Sequence, residues 1–280
     1  MGTLFLVATP IGNLEDISAR ALRILRESSI IAAEDTRHTR KLLQHYNIQT
    51  SLTSYHEHSK PQKLSRLMSF LESGDVALVS DAGTPGLNDP GYELVRAALQ
   101  NGYVVSPIPG PSAPIAALVA SGLPTDTFLY LGYLPKKSSE RRRLLAQVSD
   151  QPHTMIILET PHRLLDALEE LQENLGDRQV AAARELTKLY EEIFRGTISE
   201  TRTHFMERKP RGEFTLVISG RSLSGERWSI ERLHTALEEA CSQGLPPSKT
   251  ASKIAAESGW PRREIYKMLT EQRSNIDESE

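Results

Sequence analysis

The strongest constraint on this chain is a transition that recurs along its front half. Four short apolar runs, at residues 4–8, 30–33, 76–79 and 103–108, each end in a loop of small and polar residues. Between them, helical patterning returns. Residues 18–28 carry Ala21, Leu22 and Leu25, residues 61–72 carry Leu64, Leu67, Met68 and Leu71, and a third segment carries Leu94, Val95 and Ala98. Spacings of three and four are the helical period. Strand–helix alternation of this kind predicts a mostly parallel sheet with helices on both faces.

The most informative loop is VSDAGTPGLNDP at residues 79–90. A strand that runs into a Gly-rich loop before a helix is where open α/β sheets bind ligands. The loop lacks both G-x-G-x-x-G and a following Gly-Lys-Ser/Thr, so neither a dinucleotide fingerprint nor a phosphate-cradling loop is present. Asp81, at the strand's carboxyl end, is placed to grip a hydroxyl or amine, and Asp89-Pro90-Gly91 reads as a capped helix start.

Pro109-Gly110-Pro111-Ser112-Ala113 interrupts the pattern, and a small-residue helix at 114–120 follows. Further strands are predicted at 127–131, 154–158, 179–183, 192–198 and 213–218. The close spacing near 180–198 suggests a hairpin, hence a mixed sheet. The expected class is α/β: a parallel-sheet domain at 1–110 and a mixed-sheet domain at 111–220, with a cleft between them. Residues 221–228 have a linker's polar composition, and 229–275 reads as a helical module. Ala255, Gly259 and Ile265 have helix-turn-helix spacing there, and Pro261 suits a first helical turn. Six basic residues (Lys249, Lys253, Arg262, Arg263, Lys267, Arg273) against Glu257, Glu264 and Glu271 give residues 248–273 a charge of +3. The module therefore reads either as a nucleic-acid contact or as a helical packing and dimerisation unit.

Composition narrows the class. The 280 residues are 39% hydrophobic and 25% charged, ordinary for a globular protein, and the length suits about two domains. A net charge of −3 excludes a global basic field, so nucleic-acid contacts must be local. The single cysteine, Cys241, excludes an internal disulfide and any multi-cysteine metal site. No apolar stretch approaches the ~20 residues of a membrane span, and the N-terminus lacks the regions of a signal peptide. The expectation is a cytoplasmic protein with no membrane association.

Several segments bear chemistry. Thr9-Pro10-Ile11-Gly12-Asn13, Glu34-Asp35-Thr36-Arg37, residues 109–113 and Gly132-Tyr133-Leu134-Pro135 all follow strands and converge on one crevice in such sheets. Tyr55-His56-Glu57-His58 resembles a metal pair, but no third ligand lies at a recognisable spacing, and no metal is expected. Lys136, Lys137, Arg141, Arg142 and Arg143, against Glu140, form either a solvated helix face or a track for phosphates. Thr160-Pro161 reads as an N-cap pair at the junction Glu159–Arg163, and the charges of residues 183–188 as an ion pair at a strand end.

Taken together, ATPIGNLEDIS (8–18), AEDTRHTRKLL (33–43), SYHEH (54–58), SDAGTPGLNDPG (80–91) and PIPGPSA (107–113) resemble the tetrapyrrole-methylase-like class of S-adenosylmethionine methyltransferases. LGYLP (131–135), ETPHR (159–163) and ARELTK (183–188) extend the resemblance over nearly the whole chain, toward the branch that methylates small-subunit ribosomal RNA. The resemblance implies a homodimer of two-domain subunits, with the cofactor in the cleft. It implies methyl transfer to the ribose 2′-hydroxyl of a cytidine in 16S rRNA, at the decoding centre. Carried over, cofactor contacts fall on Pro10, Asp81, Ala82, Gly83, Thr84, Leu87, Ser112 and Ala113, with Tyr133, Arg184 and Phe214 from the second domain. The first loop, ATPIGN, departs from the Gly-Pro-Gly-Asp type of the corrin-making relatives and favours RNA over a tetrapyrrole.

A ribose hydroxyl needs a base, and Glu34, Asp35, His56 and Glu57 are the candidates. Arg37, the basic run at 136–143, Arg262 and Arg263 are the candidate RNA contacts. Two alternatives remain at this level. A small-molecule C-methyltransferase leaves the basic segments unexplained, and a ligand-sensing DNA-binding regulator calls for a more basic recognition helix.

Overall fold

The computed structural model describes residues 2–56, 61–221, 228–242, 246, 250–251, 254–255, 258, 260–261 and 264–270. The first sheet has the order β3-β2-β4-β1-β5: Leu52–Ser54, Ile30–Ala33, Val76–Val79, Thr3–Val7 and Val104–Ile108. All its pairings are parallel. The central strands β2 and β4 are buried along their whole length, which is why they read as unbroken apolar runs. Strand β3 and the helix α2 (Thr36–His45) were not expected. Strand β3 has three half-buried residues and no apolar alternation, while α2 is mostly polar, so neither stands out in the sequence.

Helices α1 (Ala19–Glu27) and α2 cover one face through Ala21, Ile24, Leu25 and Leu43. Helices α3 (Pro61–Ser73) and α4 (Tyr92–Gln100) cover the other through Leu67, Leu71, Leu94 and Ala98. The chain therefore leaves neighbouring strands β1 and β4 toward opposite faces, and the carboxyl ends of these two strands form the topological switch point. Ser18 caps α1 by accepting from the Ala21 amide, and Asp35 caps α2 by accepting from the Arg37 amide. Such caps contribute about 1 kcal/mol each. The expected cap at Asp89 is absent: α4 begins after Gly91 with no side-chain cap, and Asp89 is drawn into the site described below.

The second sheet has the order β6-β7-β10-β8-β9: Phe128–Tyr133, Thr154–Glu159, Phe214–Ile218, Gln179–Arg184 and Glu192–Thr197. Only β6 and β7 pair in parallel, so the sheet is mixed, and β8–β9 is the antiparallel hairpin. Helix α5 (Ala113–Ser121) lays Ala117 and Leu118 against Ile156, Ala181, Ala183 and Val217. Helices α6 (Ser138–Val148), α7 (Leu164–Leu175) and α8 (Ile198–Glu207) complete this half. A reciprocal capping box between Thr197 and Glu200 starts α8. Thr160 does not cap α7, which starts after Arg163. Its amide and hydroxyl instead donate to the buried carboxylate of Glu159, which has the greater need of donors.

Both sheets belong to one compact unit, Met1–Ala146 with Thr154–Ile218. A second unit comprises Gln147–His153 and Ser219–Glu280. It has its own core, in which α9 (Ile230–Ser242) contributes Leu233 and Leu237 alongside Ala251, Ile254, Ile265 and Leu269. Ala255 packs on that core, and Gly259, the turn position of the helix-turn-helix spacing, lies outside the described residues.

Candidate active site

Three strand-end loops of the first sheet are tied into one wall. Thr9 and Gly83 exchange backbone hydrogen bonds of 2.9 and 3.0 Å, joining the β1 loop to the β4 loop. The Thr84 hydroxyl donates to the Pro111 carbonyl at 3.3 Å, joining the β4 loop to the β5 loop. Gly83 has φ +78°, a backbone that a side chain would strain, and this turn is what brings the loop back against Thr9. The second sheet closes from the opposite side. A Cβ on Gly12 would lie 2.4 Å from Lys188 Cγ, and one on Gly132 would lie 2.5 Å from Asn88 Nδ2. The Asn13 amide donates to Thr187 Oγ1 at 3.0 Å. Only glycine lets the loops of the two sheets meet this closely.

Between these walls lies a cleft of about 280 Å³. Of the residues assigned to the cofactor, Asp81, Ala82, Thr84, Leu87, Ser112, Ala113, Tyr133 and Phe214 line it. Gly83 shapes the wall without lining it, and Pro10 lines a second, adjoining pocket. Arg184 does not line the cleft either. Its Nη1 pairs with Glu192 at 3.3 Å and its Nε donates to the Arg211 carbonyl at 2.8 Å, while its neighbour Ala183 faces the cleft.

The sequence reading missed Asp89, Tyr130, Lys188 and Glu213, which also line the cleft. Asp89 was hidden by its resemblance to a helix cap, and Tyr130 by its place in an ordinary strand.

Acid dominates the cleft. The Asp81 carboxylate accepts from the Asp35 amide at 2.9 Å, and the Asp81 amide lies 3.5 Å from Glu34 Oε2. Burial raises the Glu34 carboxyl, the Asp81 charge adds to this, and His56 is near enough to offset part of it. Burial, followed by the charges of Glu34 and Asp81, pushes Asp89 up to about 6, against a donated hydrogen bond from Ser80. Among the described residues that line the cleft the one cation is Lys188, and it is taken up by Glu185 at 2.8 Å and Glu213 at 3.0 Å. A cluster of this kind attracts a cationic ligand. Burial also pushes Tyr130 up to about 12, and its buried hydroxyl has no hydrogen-bond partner among the described residues. A buried hydroxyl on a cleft wall is a polar group that a bound ligand atom can satisfy.

The remaining candidates are dispersed. Asp35 is committed to capping α2 and to Arg37, whose hydrogen bonds hold the Asp35 carboxyl well below the usual range. Arg37 itself stays 87% exposed at the side chain. His56 is exposed just beyond β3, and Glu57 lies outside the described residues, as do Arg262 and Arg263. Lys136, Arg142 and Arg143 are exposed, and Lys137 pairs on the surface with Glu140 at 3.1 Å. Arg141 differs from its neighbours. It is buried in a bidentate pair with Glu170 of α7 and donates to the Pro135 carbonyl at 3.0 Å, which turns it away from the exposed face of the run. Among the described residues, no group of three or more His, Cys, Asp or Glu could hold a metal, and no helix is long and apolar enough to cross a membrane.

Residues 3–202 match the family model of tetrapyrrole (corrin/porphyrin) methylases. The chain is 45% identical to the Ribosomal RNA small subunit methyltransferase I of Halalkalibacterium halodurans, covering 95% of this chain and 93% of that one. It is 46% identical to the same-named protein of Synechocystis (97% and 98% covered) and 45% identical to that of Escherichia coli O157:H7 (97% and 96% covered). Among solved structures, uroporphyrin-III C-methyltransferase from Thermus thermophilus aligns with a TM-score of 0.54 at 20% identity, over 78% of this chain and 94% of that one. A diphthine synthase aligns at 0.60 and 14% identity, over 79% and 91%. At these identities the structural likeness establishes the fold alone.

Proposed function

Because the chain belongs to the family of tetrapyrrole (corrin/porphyrin) methylases, we propose that it methylates the ribose 2′-hydroxyl of a cytidine in 16S rRNA, at the decoding centre of the small subunit. S-adenosylmethionine is the methyl donor. The observation that carries the substrate is the 45–46% identity, over almost full length, to relatives named for small-subunit ribosomal RNA.

The cleft suits this donor. Its sulfonium and ammonium groups are cationic, and Asp81, Asp89 and Glu34 supply the opposing charge. Leu87, Leu158 and Phe214 offer apolar surface to the adenosine, with the Tyr130 hydroxyl as a polar anchor. When bound, the sulfonium supplies an activated methyl group. What is left to the protein is alignment of the acceptor oxygen and removal of its proton. A placed base is worth about 10²–10⁴-fold, most when its pKa is drawn toward the working pH. Glu34, raised by burial and by Asp81, meets that condition better than Asp35, whose carboxyl is held low by Arg37. Arg37, Lys136, Arg142 and Arg143 supply exposed charge for the RNA backbone.

The working form we propose is a homodimer in the cytoplasm, where ribosomes are found. Edge strand β5 exposes 63% of Val104, and α5 exposes 45% of Ile115 and 69% of Val119, apolar surface suited to a second copy. The deciding experiment incubates the protein with labelled cofactor and small subunits from cells that lack the enzyme, followed by nucleoside mass spectrometry. Label on the ribose of one cytidine is expected. Label on a base, or none, would overturn the reading.

A further inference from the structure

Beside the cofactor cleft is a second pocket of about 230 Å³, and Asp81 lines both. We propose that this second pocket seats the acceptor ribonucleotide, with Lys41 and His38 holding a phosphate next to it. The inference deepens the ribosomal-RNA reading above and rests on it.

The first argument is adjacency. Methyl transfer needs donor and acceptor atoms about 3–3.5 Å apart, so the acceptor site has to share a wall with the donor site. Among the described residues lining the two cavities, Asp81 is the shared one. The second argument is size. At about 230 Å³ the pocket is smaller than the cleft of about 280 Å³ that takes the cofactor, which suits the ribose and base of one nucleotide rather than a macrocycle.

Its lining fits the same guest. Pro10, Leu14 and Leu42 give apolar surface for a ring or sugar face, and Thr39 and Ser80 supply polar atoms. The Leu14 wall is held in place by the Tyr46 hydroxyl, which donates to the Leu14 carbonyl at 2.6 Å. The Thr9 hydroxyl donates to the Ser80 carbonyl at 3.3 Å, which braces the opposite side. The pocket is thus formed before a nucleotide arrives. RNA is read mainly where single nucleotides are splayed from the strand, and a preformed pocket receives one of these.

Charge supplies the final argument. Helix α2 carries Arg37, His38, Arg40 and Lys41 and contains no acidic residue. Asp35, its cap, neutralises Arg37. Neither Arg40 nor Lys41 has a salt-bridge partner among the described residues. Lys41 reaches the pocket itself, with His38 beside it as a hydrogen-bonding group, so a cation with no salt-bridge partner among the described residues stands at its edge. An anionic backbone entering here releases counterions from that edge, whereas a neutral acceptor gains nothing from it.

The test measures binding of full-length protein to under-methylated small subunits across a salt series, for wild type, Lys41→Gln, His38→Ala and Lys41→Arg. Lys41→Gln is expected to weaken binding about ten-fold at low salt and to reduce the salt slope by slightly less than one. His38→Ala is expected to weaken it by less, and Lys41→Arg to restore both quantities. Cofactor affinity, read by calorimetry, is expected to match wild type in all three variants, which also shows that they fold. If wild type labels ribose but Lys41→Gln binds with wild-type affinity and slope, the second pocket is not the acceptor site. If wild type labels no ribose, the functional reading falls and this inference falls with it.

Discussion

Asp89 carries the most consequence of any single residue. Its carboxyl is raised from 3.8 to about 6 because burial and the charges of Glu34 and Asp81 all oppose ionisation. The folded state therefore holds a proton that the unfolded chain releases between pH 3.8 and 6, so this group's contribution to stability falls as pH rises through that window. Cofactor binding runs the other way, since a cationic ligand prefers the ionised acid. Calorimetry is expected to show affinity for S-adenosylmethionine rising between pH 5 and 7, and the rise is expected to vanish in Asp89→Asn. The same variant should stabilise the ligand-free protein at pH 7 by on the order of 1 kcal/mol, after discounting for the group's partial exposure. Equal affinity at pH 5 and 8 in wild type would remove Asp89 from cofactor binding. The residue was legible in the sequence only as a helix cap, because its burial arises in the fold and the charges that oppose its ionisation, Glu34 and Asp81, lie 55 and 8 positions away.

At the scale of an element, α6 separates two roles that its basic run had merged. Arg141 faces inward, where Glu170 accepts from it and the Pro135 and Lys136 carbonyls complete its hydrogen bonds. Arg142 and Arg143 face solvent. Removing one partner of a buried pair costs about 3–5 kcal/mol, because the other charge is left behind. Urea unfolding of Arg141→Ala is expected to fall by about 3 kcal/mol. Arg142→Ala and Arg143→Ala are expected to stay within about 0.5 kcal/mol while weakening attachment to small subunits. A silent Arg141→Ala would mean that Glu170 finds another partner. Consecutive arginines look alike in a sequence, and helical rotation of about 100° per residue distributes them among different environments.

At the scale of the molecule, the cleft is assembled from both sheets, so the cofactor is expected to stabilise them together. At a concentration of 100 times its dissociation constant, a ligand of the folded state adds about 2.7 kcal/mol. A protein truncated after residue 225 keeps the unit that holds the cleft and loses the separate core around Leu233, Leu237 and Ile265. Its cofactor-dependent thermal shift is expected to match that of the full chain, while its affinity for small subunits declines. Equal loss of both would make the C-terminal unit a structural requirement of the cleft.

The amino-acid order by itself determined the strands other than β3, most helices, the parallel-then-mixed sheets and the family. These follow from local periodicity and from loops whose residue types are dictated by the turns they make, as at Gly83 with its φ of +78°. Tertiary structure alone decided the rest: that Asp89 is an acid of the cleft, that Pro10 belongs to a second pocket, that Arg141 is a buried pin, and that Gly12 and Gly132 are the contact points of two sheets. Burial, charge repulsion and close approach are properties of pairs distant in the chain, and they exist only once the fold brings those pairs together.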